Sequence, residues 1–257
     1  MLRVSKSHPC AICQKPDWCM YSEDGQVAVC ARISEGAKKK CGDAGWLHIL
    51  VPGTKPTGKP IKRYVPEPVK DFTAEAVSYQ AAISDKQIEE LALSLDVSID
   101  SLERLCVGWD GESWTFPMRN ENLKIIGIRR RFPNGKKLSV KCSSNALFVP
   151  DGLSNVGDLI ITEGESDCAA ALDLNFDAIG RPNCNSRIDM TCKFARGRKV
   201  TIIADRDRAG VKGAKKLARK LIKHCPEVMI IVPPLGIKDL REWVKKGFNV
   251  GAKEHGL

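Results

Sequence analysis

Two short apolar runs in this chain each end in a cluster of acids, and that pairing restricts the fold more than any other feature. Asp158-Leu-Ile-Ile-Thr162 runs into Glu163-Gly-Glu-Ser-Asp167, and Val200-Thr-Ile-Ile-Ala204 runs into Asp205-Arg-Asp207. A short apolar run followed by glycine and a helix-like stretch reads as a buried parallel strand opening into a crossover helix. Strand and helix patterns alternate from there on: 159–162, 167–174, 178–180, 188–195, 199–204, 210–224, 228–232 and 239–246. This spacing predicts an α/β fold, a Rossmann-type parallel sheet with helices on both faces. In such sheets ligands sit beyond the carboxyl ends of the strands, so both acidic clusters should meet at one edge. A lone acid at a strand end is ordinarily a helix N-cap. Paired clusters repel unless a cation lies between them, and hard oxygen donors suit Mg²⁺ or Mn²⁺. The pattern predicts a divalent-metal site for phosphoryl chemistry.

Upstream the pattern changes three times. Residues 1–51 hold five cysteines, Cys10, Cys13, Cys19, Cys30 and Cys41, and read as a small zinc-binding module. Residues 52–70 are rich in Pro, Gly and Lys without apolar periodicity, the composition of an extended linker. Residues 71–155 begin with helices, for which Ser84-Asp-Lys-Gln and Ser98 are N-cap signals. They continue as strands around Trp114–Met118, Leu123–Ile128 and Leu138–Lys141, turning at Asn120–Asn122 and Asn134-Gly135. This small mixed α+β subdomain carries Arg119, Lys124, Arg129, Arg130, Arg131, Lys136, Lys137 and Lys141. Residues 156–257 form the acidic α/β domain. No internal repeat is visible.

Lys and Arg outnumber Asp and Glu 41 to 31, a formal charge of +10 that persists despite the acidic clusters. A polyanion is the natural partner, and nucleic acid comes first. No apolar stretch is long enough to span a bilayer and the N-terminus lacks a signal-peptide core, so no membrane partner is expected and the location expected is cytoplasmic. Eleven cysteines in that setting point away from disulfides and towards metal ligation where they cluster. Cys10-Ala-Ile-Cys13 has zinc-knuckle spacing. A hairpin turning at Glu23-Asp24-Gly25 would bring Cys19 opposite Cys30. Structural Zn²⁺ on Cys10, Cys13, Cys19 and Cys30 is the expectation, with Cys41 as an alternative to Cys19 and His48 as a remote third choice. Cys106, Cys142, Cys168, Cys184, Cys192 and Cys225 read as small buried hydrophobes.

Glu163-Gly-x-x-Asp167 at one strand end and Asp205-x-Asp207-x-Ala-Gly210 at another resemble the TOPRIM domain of bacterial replicative primases, topoisomerases and some nucleases. Trp114-Thr-Phe-Pro-Met-Arg119, Ile126-Gly-Ile-Arg129 and Leu147-Phe148 resemble the basic subdomain of DnaG-type primases, and Pro234-Leu-Gly-Ile-Lys-Asp239-Leu-Arg-Glu-Trp243 resembles the segment that closes their TOPRIM domain. The cysteine module resembles their zinc ribbon in its phage and mobile-element variant. The resemblance covers nearly the whole chain. It departs at Cys30-Ala-Arg-Ile33, where a second close Cys pair is missing, and at Arg206, where glycine is usual.

The resemblance implies a DNA primase that makes short RNA primers on single-stranded DNA from ribonucleoside triphosphates by two-metal phosphoryl transfer. It implies a replicative helicase on a separate chain, since no Walker-type loop occurs, and a bacterial host cytoplasm with a phage or mobile-element origin. Asp205 and Asp207 are then the principal Mg²⁺ ligands and Asp239 a weaker one. Glu163 is a ligand or general base, and Asp167 is a support or further ligand. Glu165 is left out. The basic residues of 119–141 would hold template and triphosphate through phosphate contacts, while Trp18, Tyr21 and Trp46 could stack on bases or pack the module core. Arg206 could meet a phosphate, pair with a carboxylate or lie in solvent. Two other readings are a recombination or replication mediator that binds DNA without synthesis, and a TOPRIM nuclease. A topoisomerase fits poorly, because Tyr21, Tyr64 and Tyr79 are the only tyrosines.

Overall fold

In the computed structural model, which describes residues 1–51 and 69–247, the chain separates into two units, Met1–Pro66 and Glu67–Leu257. The linker expected at 52–70 falls, except for its last two residues, outside the described residues, as do Tyr64 and the chain beyond 247.

The first unit is an antiparallel sheet of short strands, β1 (Leu2–Arg3), β2 (Met20–Tyr21), β3 (Val27–Cys30), β4 (Lys39–Lys40) and β5 (Trp46–Ile49), in the order β1-β2-β3-β5-β4. The expected hairpin forms. The Gly25 N–H donates to the Ser22 carbonyl, the Asp24 carboxylate accepts from the Gln26 N–H, and Met20 pairs with Val29. So little apolar side chain is available that the unit's core cluster consists of Val4 with Cys10, Cys19 and Cys30. The thiols stand where a larger domain would place leucines.

The second unit opens with α1 (Thr73–Ala82), α2 (Asp85–Leu95) and α3 (Ile99–Arg104). Both predicted caps are present. Ser84 and Gln87 form a reciprocal capping box, and the Ser98 hydroxyl accepts from the Ser101 N–H. An antiparallel sheet follows in chain order: β6 (Gly108–Trp109), β7 (Trp114–Arg119), β8 (Ile125–Arg131) and β9 (Lys137–Ser139). Then come β10 (Leu159–Glu163), α4 (Gly164–Asp173), β11 (Ala178–Arg181), α5 (Ile188–Ala195), β12 (Lys199–Ile203), α6 (Arg208–Leu221), β13 (Glu227–Ile231) and α7 (Leu240–Lys245). These last strands are all parallel, in the order β11-β10-β12-β13.

Alternation along each parallel strand feeds two cores. Ile160, Ala178 and Ile203 face the α4 and α7 side with Ala169, Leu172 and Leu240. Leu159, Ile161, Val200 and Ile202 face the α5 and α6 side with Ala195, Leu217 and Leu221. At roughly 1.5–3 kcal/mol for each fully buried aliphatic side chain, these two layers dominate the stability of the unit. The segment around Leu147 and Phe148 laces the two sheets together, pairing with Arg119 of β7 on one side and Gly180 of β11 on the other. The basic strands are thereby fixed to the acidic domain. No helix among the described residues is long and apolar enough to cross a membrane.

Candidate metal centres

Cys10, Cys13, Cys19 and Cys30 present sulfurs that all lie within 4.8 Å of one another. Four thiolates about 2.3 Å from a tetrahedral zinc stand about 3.8 Å apart. The Cys13–Cys19 and Cys19–Cys30 separations, 3.6 Å and 4.0 Å, bracket that value. Although Cys30-Ala-Arg-Ile33 lacks a second cysteine, it turns around its thiol as a knuckle does: the Arg32 and Ile33 N–H groups donate to the Cys30 sulfur, and the Ala31 N–H donates to that of Cys19. Burial pushes the Cys19 thiol up to about 12 and raises that of Cys30. At Cys13 burial also works upward, but the Lys15 N–H and the neighbouring thiols prevail and bring it down to about 7. Such a set ionises fully only around a cation, so its donor chemistry fits zinc.

Cys41 lies outside this group, half-buried at the start of a 3-10 turn, with its N–H on the Gly45 carbonyl. His48 also lies outside it, with Nε2 bonded to the Ile33 carbonyl at 2.9 Å. Of the three aromatics, Trp18 is 73% exposed, Tyr21 stacks on His8 and Trp46 lies under the Lys40 ammonium.

The acids gather at the carboxyl edge of the parallel sheet. Glu163 ends β10, where Gly164 at φ +82° turns the chain directly into α4. Asp205 and Asp207 follow β12, and Asp239 lies beyond β13 at the head of α7. Asp207 and Asp239 are both N-caps, accepting from the Gly210 N–H at 2.7 Å and the Glu242 N–H at 2.8 Å. The ordinary structural role of a strand-end acid is therefore realised at two of the five positions, with one carboxylate oxygen left over at each. Gly210 is required by proximity: a Cβ there would sit 2.6 Å from the Asp205 carbonyl oxygen, so only glycine lets α6 start this close to the acids.

Repulsion among these groups is visible in their protonation. Burial, then Asp205 and Asp207, raise Glu163 to about 7. Burial, then Asp239 and Asp207, raise Asp205 to about 6. Asp167, buried in the first turn of α4, is pushed to about 7 by burial and by Asp239 and Asp205, although its Oδ1 accepts the Arg241 N–H at 2.9 Å. A cluster that binds protons this tightly is one a divalent cation would discharge, and all its donors are hard oxygens. Its geometry is nonetheless more open than that of the thiols. Among the described residues only the four cysteines form a group of three or more ligating side chains close enough to share one ion.

The predicted basic residues divide into two sets. Arg119 pairs with Asp151 at 2.7 Å, and Arg130 with Asp110 and Glu112. Arg131 and Lys137 pair with Glu165 at 3.1 and 2.6 Å. Lys124, Lys136 and Lys141 are exposed and, like Arg129, make no ion pair among the described residues.

Glu165, which sequence reasoning passed over, is 2% exposed. Burial opposes its charge, but Lys137 and Arg131 outweigh that and hold its carboxyl below the ordinary range. It ties the basic strands to the first turn of α4. Arg181 is a second omission. It is fully buried opposite Glu163 in the β10–β11 register, with its guanidinium on the Ser186 carbonyl, and with Lys238 it opposes the rise at Glu163, Arg181 more strongly. Its position after Ala178-Ile-Gly180, a third strand reaching the same edge, was the available signal. Of the three expected surroundings of Arg206 the structure shows solvent and, among the described residues, no carboxylate: the side chain is exposed, its Nε donates to the Pro233 carbonyl and its backbone N–H to that of Lys238, clipping the Asp205–Asp207 loop to the segment before α7.

No protein-family model matches the chain, and no curated relative is found. Solved structures do resemble it. One described as the DnaG catalytic core superposes with a TM-score of 0.56 at 16% identity, covering 70% of this chain and 76% of that one. A DnaG primase catalytic domain bound to single-stranded DNA gives 0.55 at 16% identity, covering 70% and 77%. The E. coli primase catalytic core gives 0.55 at 17% identity, covering 70% and 76%. With its parallel sheet, flanking helices and preceding antiparallel sheet, the chain has the fold of the DnaG primase catalytic core.

Proposed function

We propose that the chain is a DNA primase that synthesises short RNA primers on single-stranded DNA. The observation that carries this reading is the meeting of Glu163, Asp167, Asp205, Asp207 and Asp239 at the carboxyl edge of a parallel sheet, where burial and mutual repulsion raise Glu163, Asp167 and Asp205 together. The fold of DnaG catalytic cores supports it, and so do the basic strands laced to the acidic domain.

In this reading Asp205, Asp207 and Glu163 hold Mg²⁺ or Mn²⁺, with Asp239 as a further ligand. Bound divalent cations supply charge stabilisation for the attacking 3′-oxygen and the departing pyrophosphate. The residues of the chain prepare for this. The N-cap bonds of Asp207 and Asp239 fix those carboxylates in orientation, and Gly210 lets the loop lie against α6. Asp167 anchors the head of α7 through the Arg241 N–H. Glu163, raised to about 7, can hold or release a proton near neutral pH. Lys124, Arg129, Lys136 and Lys141 are the cations left to grip template and triphosphate phosphates. Arg131 and Lys137 position α4 through Glu165. Zinc on Cys10, Cys13, Cys19 and Cys30 holds the first unit together. A replicative helicase partner, a bacterial cytoplasm and a phage or mobile-element origin complete the proposal.

The test is incorporation of labelled ribonucleotides on single-stranded DNA with Mg²⁺ or Mn²⁺, beside the double variant Asp205→Asn, Asp207→Asn. Short products from the unaltered chain and at least a hundredfold less from the variant are expected. Undiminished synthesis by the variant would overturn the metal assignment. DNA binding with no product from either protein favours the mediator, and cleavage of the template favours the nuclease.

A further inference from the structure

The exposed cations of α6 form a longer unpaired series than those of the basic strands. Arg208, Lys212, Lys215, Lys216, Arg219 and Lys220 are all exposed on this helix, with Lys223 one turn on, while Gly213, Ala214, Leu217 and Leu221 are buried beneath. No acid occurs between Arg208 and His224. Among the described residues none of these seven cations makes an ion pair, whereas Arg119, Arg130, Arg131 and Lys137 of the basic strands are all paired internally. The stripe also contains like-charge neighbours four residues apart (208/212, 212/216, 215/219, 216/220 and 219/223), each of which opposes the helix it sits on. A solvated face ordinarily mixes signs; this one does not.

We propose that the outer face of α6 is a docking surface for the phosphate backbone of a nucleic-acid duplex, separate from the acidic site and from the basic strands. Three features favour a duplex over other polyanions. From Arg208 to Lys223 the stripe runs about 22 Å at the α-helical rise, a mean spacing of about 3.7 Å between successive cations. That is close to the phosphate spacing of about 3.4 Å along one strand of a duplex. The helix carries no aromatic residue, the group on which single strands ordinarily stack. A straight helix also suits a regular backbone better than a disordered acidic peptide. The surface reads charge and carries no sequence information, and it begins at the residue after Asp207, so a duplex lying along it points at the acidic site. The inference holds whether or not the acids catalyse synthesis.

The experiment is fluorescence anisotropy of the whole chain with a labelled 24-base-pair DNA duplex and with the matching single strand, from 50 to 200 mM salt. It compares the unaltered protein with the quadruple variant Lys212→Gln, Lys216→Gln, Arg219→Gln, Lys223→Gln. Glutamine keeps helix propensity and side-chain length, and the melting temperature checks folding. Each lost phosphate contact lowers the salt slope by about 0.9, so the duplex slope should fall by 3 to 4 and the salt sensitivity over this range by about 100-fold. Single-strand binding should change far less. A second variant, Lys212→Arg, Lys216→Arg, Arg219→Lys, Lys223→Arg, should restore duplex binding. An unchanged duplex slope overturns the proposal and leaves the stripe for an acidic protein or for solvent. A larger loss on the single strand overturns the assignment to duplex. The Asp205→Asn, Asp207→Asn double variant, in the same assay, should keep the duplex slope, so a failed primase reading and a failed docking surface give different results.

Discussion

Four cysteine sulfurs in the first unit and five carboxylates in the second are both sets of like groups held in a small space, yet they are supported in opposite ways. The sulfurs are closed on one another within 4.8 Å, receive backbone N–H groups from the Cys30 turn, and make up most of the core around them. The carboxylates belong to neither apolar cluster: Glu163 ends a strand, Asp205 follows one, Asp167 is buried in the first turn of α4, and Asp207 and Asp239 are fixed by helix N-caps instead of by the other acids. A soft, closed donor set makes a fold depend on its metal. A hard, open set is carried by a fold that does not need it, and so remains free to exchange ligands.

The largest expected effect follows from that dependence. Cys19→Ser, or removal of zinc by a strong chelator, should unfold the first unit, because three of the four buried residues in its core cluster are these cysteines and little else is buried beside Val27, Ala28 and Val29. Structural zinc sites contribute about 10 kcal/mol or more to small modules. Limited proteolysis and hydrogen exchange should show residues 1–51 open and residues 69–247 protected. The double variant Asp205→Asn, Asp207→Asn should show neither unit open. If Cys19→Ser leaves the first unit folded and still zinc-loaded while Cys41→Ser does not, the closed set has been assigned to the wrong sulfur.

Dependence on pH should separate the sites by sign. Glu163 and Asp167, raised to about 7, and Asp205, raised to about 6, all hold their protons more tightly in the folded chain than in the unfolded one. Between pH about 4 and about 7 the folded state therefore binds more protons, and without divalent ions the stability of the second unit falls as pH rises through that window. Allowing for screening at the half-open Glu163 and Asp205, the loss should be about 2 kcal/mol, seen as a lower melting temperature at pH 8 than at pH 5. Millimolar Mg²⁺ should flatten the slope. The first unit must behave oppositely, since protonation of its thiolates releases zinc as pH falls. A second unit that melts higher at pH 8 than at pH 5 in the absence of metal would falsify the picture of crowded, protonated acids.

How much of this was legible in the sequence depended on whether the deciding contact was local. The capping box at Ser84–Gln87, the bounds of α5 and the two acidic strand ends followed from periodicity and cap chemistry, which act within a few residues. Glu165 did not, because its role comes from β8 and β9 reaching the first turn of α4, a contact between residues 34 apart in the case of Arg131. Arg181 was missed because a fully buried arginine runs against what composition leads one to expect. Whether Cys19 or Cys41 joins the thiols rested on hairpin register, since Met20 must fall opposite Val29 for Cys19 to reach Cys30. The open geometry of the acids is likewise a property of how α4, α6, α7 and the loops before them meet, not of any single motif.

The smallest effect asks which kind of residue Asp239 is. It caps α7 through the Glu242 N–H and also raises Asp167 and Asp205 by its charge, so it belongs both to the fold and to the acidic site. Asp239→Ser keeps a capping oxygen and removes the charge; Asp239→Ala removes both. Loss of an N-cap costs about 1 kcal/mol. Asp239→Ala should therefore be the less stable of the two by about that amount, with Asp239→Ser no less stable than the unaltered chain once repulsion is relieved. Both variants should lose part of the Mg²⁺-dependent rise in melting temperature. A serine variant that keeps the whole rise would make Asp239 a cap alone, and the open site would then rest on Glu163, Asp205 and Asp207.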